Sequence, residues 1–106
     1  SARKMLDSGC KLAIATDWNP GSAPMGDLLM QASVLASNQK LSNAEVFSGL
    51  TYRSANALGL NDRGIIEPNK IADFIGFKVS DYREILYNQG KIKPSFICKR
   101  GKVYDK

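Results

Sequence analysis

The stretch Lys11–Ala23, KLAIATDWNPGSA, decides how this chain folds. Leu12, Ala13, Ile14 and Ala15 form the continuous apolar run that a buried parallel strand carries, and Asp17 sits where such a strand emerges. α/β enzymes keep catalytic groups at that end of a strand. Asn19, Pro20, Gly21 and Ser22 neither extend a strand nor open a helix comfortably. They are predicted to form a loop whose backbone and short polar side chains face a pocket suited to a small polar ligand. On the residues alone two readings of Asp17 stay open. It is one ligand of a metal site completed elsewhere, or it caps the turn that follows.

The chain has no histidine and two cysteines, Cys10 and Cys98, far apart in sequence. A metal site needs about three or four converging nitrogen, sulfur or carboxylate donors, so this chain cannot complete one alone. With 106 residues, 43% hydrophobic and 24% charged, it has the composition of one small globular domain with a core. Its apolar runs are too short to span a membrane, and SARKMLDSG has no signal-peptide apolar region, so a cytoplasmic setting is expected. The cysteine spacing fits free thiols in a reducing compartment.

The net charge of +5 is placed unevenly. Residues 91–106 hold Lys91, Lys93, Lys99, Arg100, Lys102 and Lys106 against Asp105, which accounts for the whole excess. No aromatic interleaving accompanies this run, and it reads as a solvated face with no nucleic-acid partner.

Outward from the opening stretch, Ala2, Met5 and Leu6 share a helical face that Gly9 ends. A helix passing through glycine into an apolar strand is the joint of a repeated βα unit, so the chain reads as part of a longer protein. Asp27 is predicted to cap a helix over 27–38, with Leu28, Leu29, Ala32, Leu35 and Ala36 at helical spacing. Ser42 and Glu45 form a capping-box pattern opening a helix over 43–58, with Val46, Phe47, Leu50, Ser54, Ala57 and Leu58 inward and Gly59 as its stop. From Asp62 the period changes. A short strand over 63–67, a turn centred on Pro68 and Asn69, a strand over 72–77, a short helix capped by Asp81 and a hairpin turning at Arg100-Gly101 follow.

Two stretches, in the right order, carry a family resemblance. ATDWNPGS is similar to the end of the eighth barrel strand in imidazolonepropionases, metal-dependent hydrolases of the amidohydrolase superfamily. ALGLNDRGIIEPNKIADFIGF resembles the segment by which amidohydrolases leave the barrel and enter a small β-sandwich. The second motif places the chain in the superfamily, and TD-x-NPGS is the narrower one. One departure is Asn69, where the family usually has glycine before the lysine; asparagine tolerates a positive φ, so the turn is expected to survive.

The resemblance implies an α/β chain that is the C-terminal fragment of a (β/α)8 TIM-barrel amidohydrolase. Residues 1–61 would hold the last barrel strand, about 11–17, and helices 27–38 and 43–58. Residues 62–106 would be part of the composite β-sandwich, with a short helix near 81–87. A whole barrel takes about 250 residues, so the rest, with the histidine ligands, lies in an N-terminal part of the same enzyme.

Carried over by position, Asp17 is the metal ligand and the group that takes a proton from the attacking water, the metal being Zn²⁺ or Fe. Asn19, Gly21 and Ser22 match substrate-binding positions, and Trp18 is expected to pack. The implied reaction is hydrolysis of the cyclic amide of 4-imidazolone-5-propanoate to N-formimino-L-glutamate in histidine degradation. The fragment alone is expected to be inactive and to associate through its uncovered apolar faces as a homo-oligomer. Other cyclic amidohydrolases or deaminases, and a binding or assembly module without catalysis, are the alternatives.

Overall fold

Local signals place the helices. A computed structural model describes residues 1–105; Lys106, counted above in the basic tail, lies outside them. Helix α1 (Ala2–Asp7) starts where Ser1 Oγ accepts from Lys4 N at 3.3 Å. It ends with Gly9 at φ 88°, the Gly9 amide donating to Leu6 O and the Cys10 amide to Met5 O. Those paired bonds close a left-handed glycine stop of the kind only a residue without Cβ adopts freely. Asp27 Oδ1 accepts from Met30 N at 3.1 Å and opens α2 (Leu28–Gln39). The capping box opens α3 (Asn43–Leu50): Ser42 Oγ accepts from Glu45 N at 3.1 Å while Glu45 Oε2 accepts from Ser42 N at 2.8 Å.

The helix expected over 43–58 is two helices, α3 and α4 (Tyr52–Ala57), broken at Thr51 with φ −120° and ψ −86°. The cause lies in carbonyl competition. Gly49 O accepts from Ile14 N at 3.0 Å and from Ser54 Oγ at 2.5 Å, so a neighbouring segment and a side chain take the carbonyl that a continuous ladder would offer to Arg53, while Phe47 O still accepts from Thr51 N at 3.1 Å. The break turns the inward face of α4. Ala55 is buried, whereas Ala57 and Leu58, expected inside, are exposed, Leu58 at 75%.

Segment 11–17 is not a strand in this structure. A ladder requires a neighbour to exchange backbone bonds with, and among the described residues the segment instead lies against α3, joined through the Ile14–Gly49 bond. Gly49 makes the approach feasible: a Cβ there would stand 2.9 Å from Ile14 Cδ1, 3.0 Å from Ile14 Cγ1 and 3.2 Å from Leu12 O. Ile14 thereby enters a core with Ala32, Val46 and Leu86, flanked by Leu12, Leu29, Leu35, Leu41, Phe47 and Leu50.

Residues 63–67 also form no strand. Gly64, at φ 90°, rests on α4 so closely that a Cβ would meet Ala55 Cβ at 2.8 Å. The turn at Pro68-Asn69 is present, with Asn69 at φ 69° and Lys70 N donating to Glu67 O at 3.4 Å, so asparagine does hold the left-handed position. Strand β1 (Phe74–Gly76) is the centre of the run expected over 72–77. Helix α5 (Arg83–Tyr87) has Tyr82 rather than Asp81 at its capping position, but Asp81 Oδ1 accepts from Arg83 N at 2.9 Å and serves that first turn.

Strands β2 (Phe96–Lys99) and β3 (Lys102–Asp105) form the expected hairpin, and the sheet is an antiparallel meander in the order β1-β2-β3. Arg100 and Gly101, at φ 50° and 80°, make the two-residue turn whose twist suits a hairpin. Gly76 stands opposite Phe96, whose ring lies over it and meets Phe74 edge-on at 6.1 Å. The described residues hold this one sheet, and a sandwich takes two. The division placed at 61/62 is no boundary of packing, because α5 docks on α2: Leu86 belongs to the core around Ile14, and Ser33 Oγ donates to Leu86 O at 2.8 Å. Cys10 and Cys98 are free thiols, the first exposed and the second buried.

A polar clamp fastens α1 to the start of α3. Arg3 Nη1 and Nη2 donate to Glu45 Oε2 and Oε1 at 2.9 and 3.0 Å, and Arg3 Nη1 also donates to Lys40 O at 3.1 Å. The Arg3 hydrogen bonds, then the Ser42 amide, pull the Glu45 carboxyl from its usual 4.5 down to about 2. A carboxyl depressed in the folded state stabilises the fold fully above its unfolded value and loses that contribution as pH falls through the folded one. Thermal melting of the chain is therefore expected to weaken between 4.5 and about 2, and less steeply in Glu45→Gln; identical acid profiles for the two proteins would count against the clamp.

Gly49→Ala tests the contact under segment 11–17. Alanine improves helix propensity by at most about 1 kcal/mol, whereas overpacking costs roughly 1–3 kcal/mol, so a net loss is expected in urea unfolding. Ile14→Val, which removes Cδ1, should then cost less in the Gly49→Ala background than alone; a stabilised Gly49→Ala protein would show the contact is looser than described.

Candidate functional site

Between the Ile14 anchor and the Asp27 cap, the chain builds a closed loop from its own polar groups. Asp17 takes φ 51°, a left-handed conformation that costs a residue with Cβ roughly 1–2 kcal/mol. Thr16 Oγ1 accepts from Trp18 N at 3.2 Å on one side of it. On the other, Asn19 N donates to Ala23 O at 3.1 Å and Ala23 N returns a bond to Asn19 O at 3.3 Å, closing the NPGS turn.

Asn19 organises the interior of that turn. Its Oδ1 accepts from Gly21 N at 2.9 Å and Ser22 N at 2.8 Å, and its Nδ2 donates to Asp17 O at 2.7 Å and Ser22 Oγ at 3.1 Å. Trp18 folds back: Nε1 donates to Pro24 O at 3.0 Å, and the ring lies where a Cβ on Gly26 would come within 2.7 Å. Even so Trp18 is 71% exposed. Its packing is with its own loop and not with the core.

The structure thus brings Asp17, Asn19, Gly21 and Ser22 together. It leaves Asp17, Gly21 and Ser22 exposed and Asn19 half-buried. Clefts of about 450 and 310 Å3 lie elsewhere, the first between α2 and α5 against Arg83 and Tyr87, the second against Tyr52, Arg63 and Lys70, and none of Asp17, Asn19, Gly21 and Ser22 lines either. The loop's short side chains face one another because each satisfies the other's hydrogen-bonding groups, and that closure was invisible in composition. The N-P-G sequence was the available signal, since asparagine favours bonding the backbone two residues on.

Several carboxylates elsewhere in the chain are held by cations or amides. Asp62 is held below the usual carboxyl range first by its bond to Arg63, and Asp73 first by the Arg100 amide and then by Lys99. Asp81 falls to about 2, chiefly through Arg83. Among the described residues Asp17 has no hydrogen-bond or ion-pair partner for its carboxylate. No group of three or more His, Cys, Asp or Glu side chains converges among the described residues, so Asp17 offers one carboxylate donor where a complete metal site takes about three or four. The alternative role, a turn cap, is taken by Thr16 and Asn19 and not by the Asp17 side chain.

The chain is 38% identical over 92 residues to an imidazolonepropionase of Solibacter usitatus, covering 86% of this chain and 22% of that protein. It is 36% identical over 103 residues to one of Geobacillus kaustophilus, with 96% of this chain and 24% of that protein covered. For one of Deinococcus radiodurans the figures are 39% over 88 residues, 83% and 22%. The matched region is the C-terminal part of these relatives, and the chain spans less than a quarter of their length. The model of the amidohydrolase family matches residues 1–103, and the chain belongs to that family.

Proposed function

We propose that this chain is the C-terminal portion of an imidazolonepropionase and contributes one metal ligand, Asp17, and part of the substrate loop. The observation that carries the reading is the Asp17 carboxylate, unpartnered among the described residues and standing on a loop closed by its own bonds. In this reading residues 11–17 are the last strand of a (β/α)8 barrel, laddered by neighbours from the N-terminal part of the same cytoplasmic enzyme, and residues 62–105 belong to a composite β-sandwich.

The reaction is addition of water across the cyclic amide of 4-imidazolone-5-propanoate, breaking a carbon–nitrogen bond to give N-formimino-L-glutamate. A Zn²⁺ or Fe ion, with Asp17 among its ligands, supplies an acidified water when bound. Asp17 would hold such an ion, and its exposed carboxylate, which no Lys or Arg side chain engages among the described residues, would take a proton from the attacking water. Asn19, Gly21 and Ser22 form the part of the substrate loop that this chain supplies, with Gly21 and Ser22 on the exposed side of the turn.

In the intact enzyme that carries this chain, Asp17→Asn is expected to lower kcat by roughly 10²–10⁴, the range of a general base, and to weaken retention of the metal. The 106-residue chain alone, free of longer enzyme, is expected to turn over no imidazolone propanoate. An Asp17→Asn enzyme of unchanged activity, or a turning-over fragment, would overturn the assignment.

The exposed Leu58, Ile66 and Tyr87 offer apolar surface at 75%, 84% and 88% exposure. Light scattering of the isolated chain is accordingly expected to give a mass above the 11.6 kDa monomer at high concentration. A monodisperse monomer would remove the association from this reading.

A further inference from the structure

We infer that Trp18 is a positioning residue: its indole fastens the loop that carries Asp17 to the start of α2, and so fixes the Asp17 carboxylate from its C-terminal side. This inference rests on the function proposed above. Trp18 is largely exposed and stands outside the core cluster, yet its ring is held at two points. Nε1 donates to Pro24 O at 3.0 Å. The six-membered part of the indole lies over Gly26, where a Cβ would come within 2.7 Å of Cδ2, 2.9 Å of Cε2 and 3.1 Å of Cε3. Gly26 is itself left-handed at φ 67°, so position 26 excludes a side chain twice, by its backbone and by the ring above it.

These contacts join the site to the core. Gly26 directly precedes Asp27, whose carboxylate caps α2, and α2 carries the fully buried Ala32. Trp18 directly follows Asp17, whose backbone is left-handed at φ 51°. The Asn19–Ala23 pair closes the turn between them but reaches neither Pro24 nor Gly26. Ile14, bonded to Gly49, anchors the chain three residues before Asp17, and the indole supplies the anchor on the other side. A backbone held at both ends keeps a φ that a residue with Cβ seldom adopts. Released at one end, Asp17 relaxes toward negative φ and its carboxylate swings with the backbone.

Three variants of the intact enzyme that carries this chain separate positioning from substrate contact. Trp18→Ala removes both contacts; Trp18→Phe keeps a ring for Gly26 and loses the bond to Pro24; Gly26→Ala forces the indole away. Three quantities are read: exchange of the Asn19 and Ala23 amides, Zn²⁺ affinity of the metal-free enzyme, and kcat against KM. In Trp18→Ala, exchange at Asn19 and Ala23 is expected to quicken by about tenfold, while Val46 and Leu50 are unchanged. Zn²⁺ affinity should fall by about tenfold, and kcat should fall with KM changed by less than about twofold. Trp18→Phe should keep Zn²⁺ affinity within about threefold of the unsubstituted enzyme, the effect of one exposed hydrogen bond. Gly26→Ala should cost less Zn²⁺ affinity when added to Trp18→Ala than alone, because the clash with the ring is then gone and the left-handed φ is all that remains.

Exchange and Zn²⁺ affinity unchanged in Trp18→Ala would overturn the inference, and a rise in KM alone would mark Trp18 as a substrate contact instead. Equal costs of Gly26→Ala with and without the indole would overturn it too. Asp17→Ala separates this inference from the functional reading. If that variant bound Zn²⁺ as tightly as the unsubstituted enzyme, the functional reading would fall, while exchange at Asn19 and Ala23 in Trp18→Ala would still decide whether the indole holds the loop.

Discussion

One close approach governs this molecule: the backbone of Ile14 lies against Gly49, on the side of a helix that carries no side chain at that point. From it follow the entry of Ile14 into the core, the loss of a carbonyl from the helical ladder, and the break that separates α3 from α4. The direction in which the chain leaves the core toward Asp17 follows as well. A methyl group at position 49 would intrude on all of these at once, which accounts for a residue of poor helix propensity in the last turn of α3.

What the sequence made legible was local. Caps, stops and turns are decided by a few neighbouring residues, so Ser42 with Glu45, the Gly9 and Gly59 stops, Pro68-Asn69 and Arg100-Gly101 all take the conformations their types predict. What it did not show depends on partners distant in sequence. The apolar run 12–15 has the composition of a buried strand, but composition cannot supply the neighbour whose backbone makes it one. The same holds for the long helix: its pattern is continuous, and the interruption comes at the Gly49 carbonyl, from Ile14, some 35 residues away in sequence, together with the Ser54 hydroxyl.

The candidate site divides along the same line. Asp17 was legible because an acid ending an apolar run is unusual and because the motif around it is narrow. The role of Asn19 was not, since residue type gives its capacity for four hydrogen bonds but not which groups take them. Charge placement sharpens the contrast. Glu45, Asp62, Asp73 and Asp81 each face a cation or backbone amide that fixes them in a structural task, and their pKa values move down accordingly. The Asp17 carboxylate, which the motif singles out, has no such partner among the described residues.

The docking of α5 on α2 has a mechanical consequence. The sheet and its hairpin are tied by α5, through Leu86, to the same cluster that seats Ile14 just below the loop. A pull on the C-terminal strands would reach that cluster by way of the loops 77–82 and 88–95 and then α5, and the cluster holds a residue three positions from Asp17.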